Sequence, residues 1–254
     1  MMLRVAAVQH DIVWEDRDAN LAAHARRVDK AAAEGAGLVL FTETFAVGFS
    51  MATDRTAEPA DGPTTAWLVE QAGNHDVWVG GSVPIRADGA HRPRNAFVLA
   101  GPGGQVHRYD KRHPFSFGRE DEHFEAGDTS VTVDLGGVRS SPAVCYDLRF
   151  ADQFWSQADG TDLYVVVANW PSPRQHHWRA LLVARAIENQ AYVVGVNRVG
   201  VDGLGVDHVG GSVIIDPMGE VLADAGADET IIVADVDPAV VADVRSRLPF
   251  LQDR

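Results

Sequence analysis

The sequence predicts one α/β domain in which two mixed sheets pack face to face with helices outside. Three observations carry that prediction. Near-continuous apolar strands, such as residues 38–41 and 163–168, are spread over the whole of the 254 residues. Strand, helix and strand follow one another at the start of the chain, the pattern of a sheet covered by helices. Glycine-bearing turns at residues 101–104, 136–137 and 216–219 join further strands into hairpins, which adds antiparallel pairs to the parallel ones.

Residues 3–9 read as a buried first strand. Residues 16–34 place Leu21, Ala25, Val28 and Ala32 at helical spacing, and Gly35 stands where a helix ends. Residues 38–41 form a short apolar strand that runs into Thr42-Glu43-Thr44-Phe45. Gly62-Pro63 opens a helix to about Asn74, residues 77–83 and 95–99 are strands, and residues 105–109 pair back on the second of these. Residues 110–127 lose periodicity, and a structureless segment of that length inside a compact domain is often functional. Residues 131–135 and 138 onward form a second hairpin leading into Cys145. Residues 150–157 read as a short helix, and residues 163–168 as a strand ending in Asn169-Trp170-Pro171. Residues 178–189 are the strongest helix, with Leu181, Leu182, Ala184, Ala186 and Ile187 facing inward, and residues 192–196 are a strand. The glycine-rich residues 200–211 lack any phosphate-loop pattern and read as a mobile loop. Residues 212–215 and 220–223 make a third hairpin, 231–236 a last strand and 240–248 a last helix. No linker or repeat divides the chain, so residues 1–254 are expected to form one domain.

A balance of 22 basic and 36 acidic residues gives a formal charge of −14. Such a surface repels phosphate backbones and anionic lipid, so neither nucleic acid nor membrane is an expected partner. A single cysteine, Cys145, excludes an internal disulfide and fits a reducing compartment. The N-terminal residues lack a signal peptide's apolar segment, and no apolar run approaches the ~18 residues of a membrane span. The expectation is a cytoplasmic protein. No HExxH, CxxC or EF-hand spacing occurs, and neither a metal nor another cofactor is expected.

Three residues stand just beyond the carboxyl ends of predicted strands, where α/β sheets bind their ligands: Glu43, Lys111 and Cys145. A thiol is mostly protonated near neutral pH and needs a base or a nearby cation to react. Glu43 can take that proton. Lys111 can hold the thiolate and then the oxyanion of a tetrahedral intermediate, with the Tyr146 N–H as a second donor. Each residue alone has a plainer reading. A lone cysteine is more often a small core residue, and a charged side chain at a strand end is usually solvated. Three such residues at three strand ends give catalysis equal standing. A Cys–His pair is the commoner activated thiol, and His113, His176 and His177 lie near candidate strand ends.

The blocks Leu40-Phe41-Thr42-Glu43-Thr44-Phe45, Tyr109-Asp110-Lys111-Arg112-His113 and Val144-Cys145-Tyr146-Asp147-Leu148-Arg149-Phe150 resemble, in order and spacing, those of the nitrilase superfamily, the carbon–nitrogen hydrolases. The resemblance runs from Val5-Ala6-Ala7-Val8-Gln9 to the last strand. It implies a four-layer αββα sandwich, with Glu43 as general base, Lys111 as oxyanion stabiliser and Cys145 as a nucleophile that forms a thioester. Many members carry a second glutamate after the lysine block; Glu120 is the expected counterpart and Glu122 the alternative. Cys145 to Phe150, together with Ala168-Asn169-Trp170-Pro171, His177-Trp178 and Ala184-Arg185-Ala186-Ile187-Glu188-Asn189-Gln190, is similar to the bacterial omega-amidase branch. That branch hydrolyses the terminal amide of 2-oxoglutaramate or 2-oxosuccinamate. On this reading Arg149 is a candidate clamp for the substrate carboxylate, the alternative being a structural ion pair. Trp170 and Phe115 either wall the pocket or belong to the core. An N-carbamoyl amino acid, an aliphatic amide or a nitrile would use the same triad. N-carbamoylases, however, typically carry paired arginines after the cysteine block, where this chain has Leu148 and Arg149. A non-catalytic thiol sensor is the reading from another class, and it gives Glu43 and Lys111 no role. The family commonly dimerises, so a homodimer or a larger homo-oligomer is expected.

Overall fold

Strands that are apolar at every position need cover on both faces. The computed structural model, which describes residues 2–253, supplies it with four layers. The first half of the chain contributes β1 (Leu3–Gln9), α1 (Arg17–Ala33), β2 (Leu38–Leu40), the short α2 (Thr53–Thr56), α3 (Pro63–His75), β3 (Trp78–Ile85), β4 (Arg94–Ala100) and β5 (Val106–Asp110). The middle contributes α4 (Glu120–His123), β6 (Val133–Asp134), β7 (Arg139–Val144), α5 (Ala151–Trp155) and β8 (Leu163–Ala168). The remainder is α6 (Gln175–Asn189), β9 (Tyr192–Asn197), β10 (Val199–Val201), β11 (Asp207–Val209), β12 (Val213–Ile215), β13 (Val221–Asp224), β14 (Thr230–Val236) and α7 (Pro238–Arg247).

One sheet has the order β14-β1-β2-β3-β4-β5, the other β13-β12-β9-β8-β7-β6. In each, three central strands run parallel and antiparallel strands flank them. Alternation along the strands assigns the layers. Val5 and Ala7 of β1 meet Leu163, Val165 and Val167 of β8 in the core between the sheets. Ala6 and Val8 face outward onto Leu21 and Val28 of α1 and Leu68 of α3. Tyr164 and Val166 face the opposite way, onto Phe154 of α5 and Trp178, Leu182 and Ala186 of α6. Each large apolar side chain so buried contributes about 1.5–3 kcal/mol. Asp16 caps α1, accepting from the Ala19 N–H at 3.0 Å. Among the described residues no helix is long and apolar enough to cross a membrane.

The structure corrects four sequence-based expectations, the first being Ile187, which faces outward from α6 at 52% exposure. The aperiodic residues 110–127 are not structureless: a 3₁₀ turn (Ser116–Gly118) leads into α4, which carries Glu120. The strand expected at residues 131–135 is only β6, Val133–Asp134, since the sharp Gly136-Gly137 turn leaves few residues in register. Residues 200–211 are not a plain loop but the ribbon β10–β11. Asp202 closes its tip, accepting from the N–H groups of Leu204 at 2.8 Å and Val206 at 2.9 Å. Its glycines mask the alternating Val199-Gly200-Val201 that pairs with Asp207-His208-Val209.

Candidate active site

The two sheets bring the ends of β2 and β5 from one layer against the ends of β7 and β8 from the other. Cys145 follows β7 at a turn into a 3₁₀ helix (Cys145–Arg149), and its φ of 48° is one that a side-chain-bearing residue rarely adopts. Such a conformation costs on the order of 1–3 kcal/mol and persists only where neighbours enforce it. Asp147 does so here. Its buried carboxylate accepts from Val144 N at 2.9 Å, Tyr109 Oη at 2.8 Å, and both His113 N and His113 Nδ1 at 2.9 Å. The turn leaves the thiol facing a cavity, and Tyr146 N–H lies in the opening turn, where backbone donors have no intrahelical acceptor.

Glu43 follows β2 and is fully buried. Its Oε1 accepts from Lys111 Nζ at 2.8 Å and Asn95 Nδ2 at 2.9 Å, and its Oε2 from Asn169 N at 2.9 Å. Asn169, at the end of β8, also donates through Nδ2 to the Glu43 carbonyl at 2.7 Å, so one sheet holds the carboxylate of the other. Lys111 Nζ donates to Glu120 Oε2 at 2.7 Å, and Asn95 Nδ2 reaches Glu120 Oε1 at 3.0 Å. Of the two glutamates, Glu120 is the one that meets Lys111; Glu122 pairs with Arg119 on the exposed surface. Gly127 closes the segment, its N–H on the Lys111 carbonyl at 2.8 Å, where any Cβ would collide with the Asp110 carbonyl.

Two carboxylates thus share one ammonium out of water. Burial pulls the Lys111 pKa down, but Glu120, then Glu43, then Cys145 outweigh it and hold the ammonium above its usual range. Burial, helped by the like charge of Glu43 and opposed by Lys111, raises the Glu120 carboxyl. Burial and then Glu43 push the Cys145 thiol well above its ordinary value, against the pull of Lys111. The resting thiol is therefore protonated near neutral pH, beside a carboxylate that can accept its proton and an ammonium that can hold an anion. The charges acting most strongly on the thiol are those of Glu43, Lys111 and Glu120. His113 is committed to Asp147 and stacks on Phe150 at 3.6 Å, while His176 and His177 are exposed on α6.

A cavity of about 280 Å³ opens above this cluster, with Glu43, Cys145 and Asn169 at its floor. Phe115 and Tyr146 wall it, their rings 5.0 Å apart. Trp170 is wall and core at once, since it lines the cavity while only 2% exposed. Arg149 lies at the mouth, 4.9 Å over the Trp170 ring, with Nη2 3.2 Å from His177 Nδ1. It pairs with no carboxylate among the described residues, so the structural ion pair offered as its alternative role is absent. Sequence reasoning missed Asn95, which reaches the cluster only because β4 runs antiparallel beside β5. It also missed Arg174 and the ribbon residues Asp202 and His208 in the cavity wall. Asn169 carried a signal, its place just beyond β8.

The carbon–nitrogen hydrolase family profile matches residues 4–246. The omega-amidase YafV of Escherichia coli (strain K12) is 40% identical over 253 residues, covering 99% of this chain and 96% of its own length. A 2-oxoglutaramate amidase of Bacillus subtilis (strain 168) is 33% identical over 257 residues, covering 100% and 98%. The crystal structure of a CN-hydrolase superfamily protein from Xanthomonas campestris, with an arsenic adduct in its active site, matches with a TM-score of 0.94 at 38% identity. That match covers 100% of this chain and 97% of the other. The chain belongs to the carbon–nitrogen hydrolase family.

Proposed function

We propose that this protein is an amidase that hydrolyses the terminal amide of a small 2-oxo acid, 2-oxoglutaramate or 2-oxosuccinamate, to the acid and ammonia. One observation carries the reading. The cavity has Cys145 and Glu43 at its floor, with Lys111 bonded to Glu43 just beneath, and, at its mouth, an arginine with no carboxylate partner among the described residues. That shape suits a molecule with an amide at one end and a carboxylate at the other. The names of the Escherichia coli and Bacillus subtilis relatives support it.

In this reading Cys145 Sγ attacks the amide carbonyl carbon as its proton passes to Glu43. The oxyanion forms between Lys111 Nζ and the Tyr146 N–H. Glu43 returns the proton to the departing nitrogen, the C–N bond breaks, and ammonia leaves a thioester on Cys145. Water then attacks the thioester carbonyl while Glu43 takes its proton, the C–S bond breaks, and the sulfur is reprotonated. Glu120 fixes Lys111 against the first carboxylate throughout. Arg149 binds the substrate carboxylate, and Trp170, Phe115 and Tyr146 wall the substrate's carbon chain.

Ammonia release from 2-oxoglutaramate by the wild type and by Cys145→Ala tests the proposal. Loss of at least about 10⁴-fold in the variant is expected, and undiminished release would sink the mechanism. An N-carbamoyl amino acid substrate is disfavoured by Leu148, which is buried in the core where a second arginine would be needed. Turnover of no amide together with reversible oxidation of Cys145 would favour the thiol sensor. We further propose a homodimer, which light scattering tests by mass.

A further inference from the structure

We propose that Arg174 makes this site refuse omega-amides that carry an ammonium at C2, so that it takes a 2-oxo acid amide and rejects glutamine. The inference rests on the amidase reading above and starts from the charges in the cavity wall. Two guanidiniums line it, those of Arg149 and Arg174. Each rests on an aromatic ring: Arg149 on Trp170 at 4.9 Å, Arg174 on Phe115 at 5.5 Å. Trp170 Nε1 donates to the Arg174 carbonyl at 2.8 Å, so the ring beneath Arg149 is held by the segment that carries Arg174. Neither guanidinium pairs with a carboxylate among the described residues. A substrate with one carboxylate needs one of them, and the second is in excess.

The carboxylates of the same wall are already engaged. Glu43 is held by Lys111, Asn95 and Asn169. Asp202 spends Oδ1 on the N–H groups of Leu204 and Val206, and its Oδ2 faces His208 Nε2 at 3.4 Å. Among the described residues of the wall, no further acidic group is left to receive an ammonium. A 2-oxo acid presents a carboxylate and an adjacent ketone oxygen, acceptors only, which suit two planar guanidiniums. A 2-amino acid presents the same carboxylate beside a positive charge, which would meet the second cation, while the Asp202 carboxylate is turned onto the N–H groups of its own ribbon. In a half-buried site that repulsion corresponds to a discrimination of roughly 10- to 100-fold.

The test compares kcat/KM for 2-oxoglutaramate, glutaramate (two hydrogens at C2) and glutamine. The wild type is expected to prefer them in that order. In Arg174→Gln the 2-oxoglutaramate value falls roughly tenfold while that for glutamine holds or rises, so their ratio collapses by about tenfold or more. Arg174→Lys keeps the charge and is expected to keep most of the ratio. An equal fall for all three amides in Arg174→Gln overturns the inference. Inhibition of the wild type needs no variant to fold: 2-oxoglutarate is expected to bind at least about tenfold more tightly than glutamate, and equal inhibition overturns the inference too. Failure of the wild type to hydrolyse 2-oxoglutaramate would instead reject the amidase reading itself.

Discussion

At and beneath the floor of the cavity Glu43, Lys111 and Glu120 are buried, and each charge touches another at 2.7–2.8 Å. At the mouth Arg149 and Arg174 are half-buried and rest on aromatic rings instead of on carboxylates. The floor is a closed set of charges in which moving one proton changes every neighbour, because little water is present to screen it. The mouth is open-ended: its cations keep unused donors, and solvent screens them until a ligand displaces it. Substitutions at the floor should therefore act on turnover and folding, and those at the mouth on which ligand is bound.

The largest separation is expected from Glu43→Gln, which keeps the shape but cannot accept the thiol proton. Turnover should fall by about 10³-fold or more with KM little changed, read from steady-state ammonia release. Lys111→Met should cost about 3–5 kcal/mol of folding stability, because it strands two buried carboxylates without their cation. A denaturant titration measures this, and adding Glu120→Gln should restore part of it. The loss should also shrink as pH falls. Glu120 is already raised, so it takes up a proton readily and the buried negative charge disappears. Alkylation of Cys145 by iodoacetamide in the unliganded protein should rise roughly tenfold per pH unit from pH 7 to pH 9, since the thiol sits well above its ordinary value. A plateau across neutral pH would mean a preformed thiolate and would break the picture of the floor. The mildest effect is expected at the mouth. Arg149→Gln should raise KM for 2-oxoglutaramate roughly tenfold, the loss of a charged hydrogen bond, with kcat nearly kept.

Much of this contrast was legible in the sequence, and unequally. The strands 3–9 and 163–168 are apolar at almost every position, and only burial on both faces accommodates that. Glu43, Lys111 and Cys145 each stand within three residues of the carboxyl end of a strand, so the carboxyl-end rule finds them one by one. Asn95 leaves no such mark: it stands near the start of β4 and meets Glu43 and Glu120 only through antiparallel pairing. Arg174 and His208 were hidden for a related reason. One lies in a short 3₁₀ turn and the other on a ribbon whose glycines resemble a loop, and neither kind of segment carries periodicity. Short-range pattern reveals what a strand does along its length. It does not reveal what two segments distant in sequence do together.

The grip of Asn169 on Glu43 joins residues 126 positions apart and crosses from one sheet to the other. Its consequence is kinetic. Either sheet can gather its own parallel strands while Cys145 and Glu43 are still apart, and closing so long a loop is slow compared with forming a helix or a hairpin. Secondary structure regained on refolding therefore runs ahead of competence for chemistry, and the return of activity times the docking of the two sheets.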